Sequence, residues 1–244
     1  LQPWARKLVR GSNELREIMD SLNQQILGEL RIACSTTSGK YILPQLAARF
    51  RQRVPGIRVS ILACTPPHVI PRLLEGEANL GVLSSESVEP GMDITEFFED
   101  AIILIVPKDH PWAGYTRIQP DDLLDESIII REPTSGTRTV MLEQLAKFDI
   151  SLDDLNIFLE LGNAEAIVET VSAGFGVSFV SRLAAAYPLK TGDVVEVPVD
   201  GLTLTRKIYM VRKQIETPNH PQEVFWSFVH DPSNKDLLRL AKVS

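Results

Sequence analysis

The sequence predicts an α/β protein built from two related lobes. Three observations carry that prediction: short apolar strands alternate with amphipathic helices, one block recurs about 97 residues later, and two β-rich apolar stretches separate the copies. Parallel strands need a crossover, so strand–helix alternation implies parallel βαβ units.

In the first lobe, residues 30–34 read as a buried strand, 41–53 as a helix, 57–63 as a strand, 67–76 as a short helix and 80–84 as a third strand. Val54-Pro55-Gly56 stops the first helix. The order then repeats: strand 127–131, helix 137–148, strand 155–161, helix 164–173, strand 177–180. Thr37-Ser38-Gly39 returns as Thr134-Ser135-Gly136 at an offset of 97, and residues 73–82 align with 171–180 at an offset of 98. That second alignment pairs Gly76 with Gly174; the same spacing sets Ile57 beside Leu155 and Val69 beside Ile167.

Residues 97–107 and 202–211 are the two β-rich stretches. The simplest architecture is two Rossmann-like lobes with a hinge of two crossover strands: the chain leaves lobe I near Phe98, builds lobe II and returns near Leu204. A helix around 223–229 then packs back on lobe I. The expected divisions are 1–27, 28–98 plus 205–244, and 99–204.

Ahead of the lobes, Leu15, Ile18, Met19, Leu22 and Ile26 form one apolar stripe over 1–27, closed by Gly28. Such a helix either folds onto its own domain, or pairs with another chain or leads to a further domain.

Composition narrows the function. The 244 residues are 44% hydrophobic and 23% charged, with a net charge of -7. An acidic chain without a basic element does not favour DNA or an anionic membrane. The longest apolar runs, 128–130 and 101–107, are too short to cross a bilayer. Leu1–Leu8 lacks the apolar core and cleavage site of a signal peptide. Cys34 and Cys64 do not make a disulfide framework, and the four histidines stand at no ligand spacing, so neither a metal nor a cofactor is expected.

The chemistry lies in the two Ser/Thr-Gly turns. Each follows a lobe's first strand and opens its first helix, where backbone N–H groups lack partners and the helix dipole is positive. Short hydroxyls add donors, and Gly39 and Gly136 admit a ligand to the backbone. Two such helix ends would hold a carboxylate or oxyanion without a lysine. A single Ser/Thr turn is more commonly just a helix cap; the pair points to a ligand. Lys40 and Arg138 fit either an anion contact or a solvated charge. Glu132 fits a specificity group or a strand-end carboxylate. Asp121-Asp122 and Asp153-Asp154, the carboxylate doublets, sit where capping explains them, so no catalytic residue is assigned.

Several blocks carry a family resemblance. Gly28-Glu29-Leu30-Arg31-Ile32-Ala33, Ser35-Thr36-Thr37-Ser38-Gly39-Lys40-Tyr41-Ile42-Leu43-Pro44, Phe50-Arg51-Gln52-Arg53-Val54-Pro55-Gly56, Leu73-Leu74-Glu75-Gly76-Glu77-Ala78, Pro107-Lys108-Asp109-His110-Pro111, Arg131-Glu132-Pro133-Thr134-Ser135-Gly136-Thr137-Arg138 and Val171-Ser172-Ala173-Gly174-Phe175-Gly176-Val177 come in order. They resemble the effector-binding domain of LysR-type transcription regulators, in the carbon-fixation and cysteine-metabolism branch. The resemblance implies a type 2 periplasmic-binding-protein-like fold, a cytoplasmic regulator, and a small organic acid or oxyanion held between lobes. It maps effector contacts onto Ser35, Thr36, Thr37, Ser84, Pro133, Thr134, Ser135 and Phe179. It also implies a homodimer or homotetramer, with 43–53 of one copy near 164–173 of another.

Two departures matter. Residues 1–27 resemble only the family's linker helix, with no helix-turn-helix before it, so DNA contact is expected only through a domain absent from this chain, which then reads as a piece of a longer regulator. The Cys64-Thr65-Pro66-Pro67 turn replaces the family's more common Gly-Asn pair. A transporter's solute-binding protein, an enzyme on the same scaffold, and a redox sensor using Cys34 and Cys64 are the competing readings.

Overall fold

The computed structural model describes residues 11–12, 28–35, 37–86, 90–214 and 220–239. The expected helix over 1–27 lies outside the described residues, apart from Gly11 and Ser12, which are helical. The chain divides into two compact units. Unit 1 holds the chain up to Ser35, then Ile42–Phe97 and Tyr209–Leu237; unit 2 holds Thr36–Tyr41, Phe98–Ile208 and the chain from Leu238.

Unit 1 is a mixed sheet with helices. Strand β1 (Gly28–Cys34) pairs in parallel with β2 (Ile57–Ala63) along its whole length. On its other side it pairs in parallel with β3 (Leu80–Leu83). Helix α1 (Thr37–Arg53) makes the β1–β2 crossover. Its apolar residues at Ile42, Leu43, Leu46, Ala47 and Phe50 fall on one stripe and are all buried. Arg51 and Arg53 sit in its last turn, at the negative end of the dipole. After the single turn Pro66–His68, helix α2 (Val69–Leu74) makes the second crossover.

Alternation decides what each face covers. Ala33 packs with Val69 and Leu73 of α2, so Ile32 and Cys34 face the other side of the sheet. Phe50 of α1 meets Phe225 of helix α6 (His220–Val229) edge to face, with ring centroids 5.0 Å apart. Gly81 of β3 is required by closeness: a Cβ there would lie 2.5 Å from Val69 Cγ1 and 2.8 Å from Val211 Cγ1. Helix α7 (Lys235–Arg239) follows, with Leu237 buried.

Unit 2 repeats the device. Strand β5 (Ile128–Arg131) pairs in parallel with β6 (Ile157–Leu161). Helix α3 (Gly136–Leu145) makes the crossover between them. Helix α4 (Ala164–Ser172) leads on to β7 (Ser178–Ser181). Gly174 ends that passage with φ +85, as Gly76 ends the matching passage of unit 1 with φ +72. Only glycine takes that conformation at no steric cost, so the repeat is expressed in backbone geometry as well as in letters.

Two long strands belong to both units by chain. Strand β4 (Met92–Pro107) has Met92–Phe97 in unit 1 and the rest in unit 2; β9 (Thr205–Lys213) crosses the division between Ile208 and Tyr209. In unit 1, β9 pairs antiparallel with β3, Gly81 opposite Val211. In unit 2, β4 pairs antiparallel with β7 and with β8 (Val194–Glu196).

Sequence reading missed helix α5 (Arg182–Thr191) and β8 altogether. Pro188 inside α5 and the short apolar set Leu183, Ala184, Ala185 leave a weak periodic signal. Strand β4 starts at Met92, not 97, because Asp93 and Glu96 hide its alternation. Strand β6 starts at Ile157, not 155, because Leu152–Asp154 forms a single helical turn whose last N–H bond is Leu155 to Leu152, at 3.3 Å.

One buried charge pair ties unit 2 together. Asp100 of β4 is fully buried, and Arg206 of β9 is 7% exposed. Arg206 Nε donates to Asp100 Oδ2 at 2.9 Å, and Ser181 Oγ at the end of β7 donates to Oδ1 at 2.7 Å. Arg206 Nη2 also lies 2.8 Å from Oδ2 but has no hydrogen-bond geometry with it, so it adds charge proximity alone. Removing one partner strands the other charge in the core. Arg206→Leu is therefore expected to cost about 3–5 kcal/mol in urea unfolding. Asp100→Leu with Arg206→Leu together are expected to recover most of that loss.

Candidate functional site

Parallel strands place the start of each crossover at the carboxyl edge of the sheet, where open α/β folds bind ligands. In unit 1, Ser35 leaves β1 at that edge. Its N–H donates to Val82 O at 3.1 Å and its hydroxyl donates to the same oxygen at 3.2 Å. Ser84 follows β3 two residues beyond Val82 and is half-buried. The fold thus brings Ser35 and Ser84 to one edge. Thr37 is the first residue of α1. Thr36 lies outside the described residues.

In unit 2, β5 ends at Arg131 and the chain turns through Glu132, Pro133 and Thr134. Ser135 N–H closes the turn on Glu132 O at 3.0 Å. Ser135 caps α3 in extended conformation, and its hydroxyl makes no capping bond. It is 3% exposed, while Pro133 and Thr134 are exposed. A buried N-cap serine normally spends its oxygen on the N2 or N3 amide.

Thr137, two residues into the turn of helix, was not singled out from sequence. It is 2% exposed, and its Oγ1 has no hydrogen-bond partner. Buried hydroxyls are almost always paired, so this one marks a place for a ligand atom or water. The available signal was its position: Thr137, Met141 and Leu145 share one helix stripe, and all three are buried. A hydroxyl at the head of an apolar stripe is anomalous.

Two of the three charged candidates, Arg138 and Glu132, are committed to the fold. Arg138 Nη1 donates to Arg131 O at 2.9 Å and to Glu160 Oε2 at 2.7 Å, tying β5 to β6. Glu132 pairs with Arg131 Nε at 2.7 Å. Lys40 is exposed on α1. Phe179 is 3% exposed and packs with Leu104, Ile130, Met141 and Leu145 in the core of unit 2. The structure therefore brings Pro133, Thr134 and Ser135 together on one turn, and sets Phe179 in the unit 2 core cluster that also holds Met141 and Leu145 of α3.

Tyr41, the fifth residue of α1, belongs to unit 2. Its hydroxyl donates to Glu165 Oε1 at 3.1 Å. Burial, and then the neighbouring Glu165 carboxylate, push this phenol up to about 12, so it keeps its proton at neutral pH.

The remaining polar clusters are structural. Asp122 accepts from Gln119 N–H at 2.7 Å, and Asp154 from Ser151 N–H at 2.8 Å; both cap single helical turns. The Ser151 hydrogen bonds hold the Asp154 carboxyl below its usual range. Among the described residues no group of three or more His, Cys, Asp or Glu could hold a metal ion. Cys64 N–H donates to Cys34 O at 3.1 Å, so the two cysteines are neighbours. Their side chains leave opposite faces of the sheet, since Cys64 packs on the Ala33 side. Burial pushes the Cys64 thiol up, against a weaker opposing pull from Arg72.

The LysR substrate binding domain family matches residues 23–232. An HTH-type transcriptional regulator of Methanocaldococcus jannaschii is 32% identical, over 92% of this chain and 76% of that protein. A probable RuBisCO transcriptional regulator of Nostoc sp. is 27% identical, over 99% of this chain and 74% of that protein. The regulatory domain of CcmR from Synechocystis PCC6803, solved in complex with 2-PG, superposes with a TM-score of 0.73 at 26% identity, covering 82% of this chain and 95% of that domain. No described helix is long and apolar enough to cross a membrane. The paired carboxyl-edge turns and the match over most of the chain lead to one conclusion: this chain belongs to the LysR family, as the effector-binding domain of a LysR-type transcription regulator.

Proposed function

We propose that the chain senses a small anionic metabolite at the two carboxyl-edge turns, without catalysis. The observation that carries this reading is the pair of buried hydroxyls at the start of α3: Ser135 makes no capping bond and Thr137 has no partner. Beside them stand the N–H groups of a helix N-terminus, which favour an oxyanion or carboxylate. Ser35, Thr36, Thr37 and Ser84 supply the contacts of the first turn, after β1 and β3, and Pro133, Thr134 and Ser135 those of the second turn, after β5. Phe179, of β7, is the further unit 2 contact, as a wall of the site. With Arg138 and Glu132 committed elsewhere, hydroxyls and backbone dipoles set the selectivity.

In the intact cytoplasmic regulator, effector binding biases two arrangements of the lobes, 28–98 plus 205–244 and 99–204. A homodimer or homotetramer, joined through 43–53 and 164–173, passes this bias to winged helix-turn-helix heads. The family match favours this over a transporter's solute receptor of the same architecture. No nucleophile–base pair stands among the site residues, which favours a receptor over an enzyme.

A thermal-shift screen tests the reading. Phosphate, sulfate, 2-PG and small carboxylates form the panel; neutral sugars and amino acids are the controls. At a hundred times its dissociation constant a ligand adds about 2.7 kcal/mol, a rise of about 5–10 °C for a chain of this size. A shift confined to controls, or none at all, would sink the anion reading.

Thr137→Val separates a ligand role from a structural one. The swap removes an unpaired buried hydroxyl at constant shape, so the ligand-free chain should be as stable or gain about 1 kcal/mol. The ligand-induced shift should shrink or vanish. A Thr137→Val variant that melts lower without ligand would show the hydroxyl to be structural.

A further inference from the structure

The first turn of α1 carries Thr37 and Ser38, yet its own helix holds it weakly. Pro44 has no N–H, so the Lys40 carbonyl receives no i+4 donor. The first four amides have no intrahelical acceptor either. The division between units falls inside this helix, between Tyr41 and Ile42, two residues before the proline.

Two anchors bracket the segment. Upstream, Ser35 is bonded through its N–H and its hydroxyl to Val82 O of β3. Downstream, the Tyr41 ring packs on the unit 2 cluster of Ile103, Ile105, Ala164 and Ile167, and its hydroxyl donates to Glu165 at 3.1 Å. The acceptor is itself held in place. Asn163 caps α4 by accepting from Ala166 N–H at 3.0 Å, and Glu165 lies in the first turn, where a carboxylate is favoured.

We propose that Tyr41 is a positioning residue for the effector: its bond to Glu165 fixes the first turn of α1, and with it Thr37 and Ser38, in place for the ligand. This rests on the effector reading above. A turn left loose would have to be ordered on binding, and affinity would fall by that cost. The phenol retains its proton at neutral pH, so the bond persists under ordinary conditions.

The test is amide hydrogen exchange combined with titration calorimetry, on the unchanged chain, Tyr41→Phe, Glu165→Ala and the double variant. The amides of Tyr41, Ile42 and Leu43 report directly, because their i−4 acceptors lie in the first turn. Their exchange should quicken about tenfold in each single variant, as a local opening would. Affinity for whichever of 2-PG or inorganic phosphate binds the unchanged chain should fall about three- to tenfold. The double variant should be no weaker than either single, since both remove one bond. Tyr41→Phe keeps the packed ring, so its fold is retained. Unchanged exchange overturns the tether whatever the ligand. Faster exchange with unchanged affinity overturns the positioning role. An unchanged chain that binds neither probe counts against the effector reading, while the exchange data still decide the tether.

Discussion

Two strands that pair in parallel need a crossover, and the crossover must leave from the carboxyl end of the first strand. That constraint acts in both units. β1 hands the chain to α1, and β5 hands it to α3. Each handover leaves a short turn at a sheet edge, followed by a helix whose first amides have no acceptor within the helix. What qualifies these turns for the proposed receptor role follows from their place in the topology. The residue types matter second: serine and threonine supply hydroxyls, and glycine lets the backbone come close.

The accounting of buried polar groups separates structure from function. Asp100 is fully buried, yet Ser181 and Arg206 satisfy it, so the cost of its burial is largely met within the core. Arg138 and Glu132, the obvious charges near the second turn, are occupied by Glu160, Arg131 and a carbonyl. Among the described residues, Thr137 carries the buried hydroxyl that has no hydrogen-bond partner. A core tolerates such a group when something outside the chain completes it. In the proposed receptor, the attraction for an anion comes from dipoles and hydroxyls fixed by the backbone.

Pro44 gives the first turn of α1 a separate fate from the rest of its helix. Beyond it, Leu46, Ala47 and Phe50 lock the helix into unit 1. Before it, Tyr41 engages unit 2. The missing hydrogen bond makes bending at that point inexpensive.

The strand–helix order, the internal repeat and both Ser/Thr-Gly turns were legible from the chain alone, because periodicity and turn chemistry are local properties. Gly76 and Gly174 were paired by spacing, and both adopt the left-handed backbone. Helix α5 was not legible, because its Pro188 and small alanines give little periodic contrast. Nor could spacing show that Phe179 faces the core, that Cys34 and Cys64 leave opposite faces of one sheet, or that Arg138 is committed to Glu160. Those facts depend on strand register and on partners distant along the chain. Sequence by itself determined most of the strand and helix order and where the two Ser/Thr-Gly turns fall in it. Only the tertiary structure decided which hydroxyls are spent and which are left over, because a hydrogen bond is satisfied in space and not along the chain.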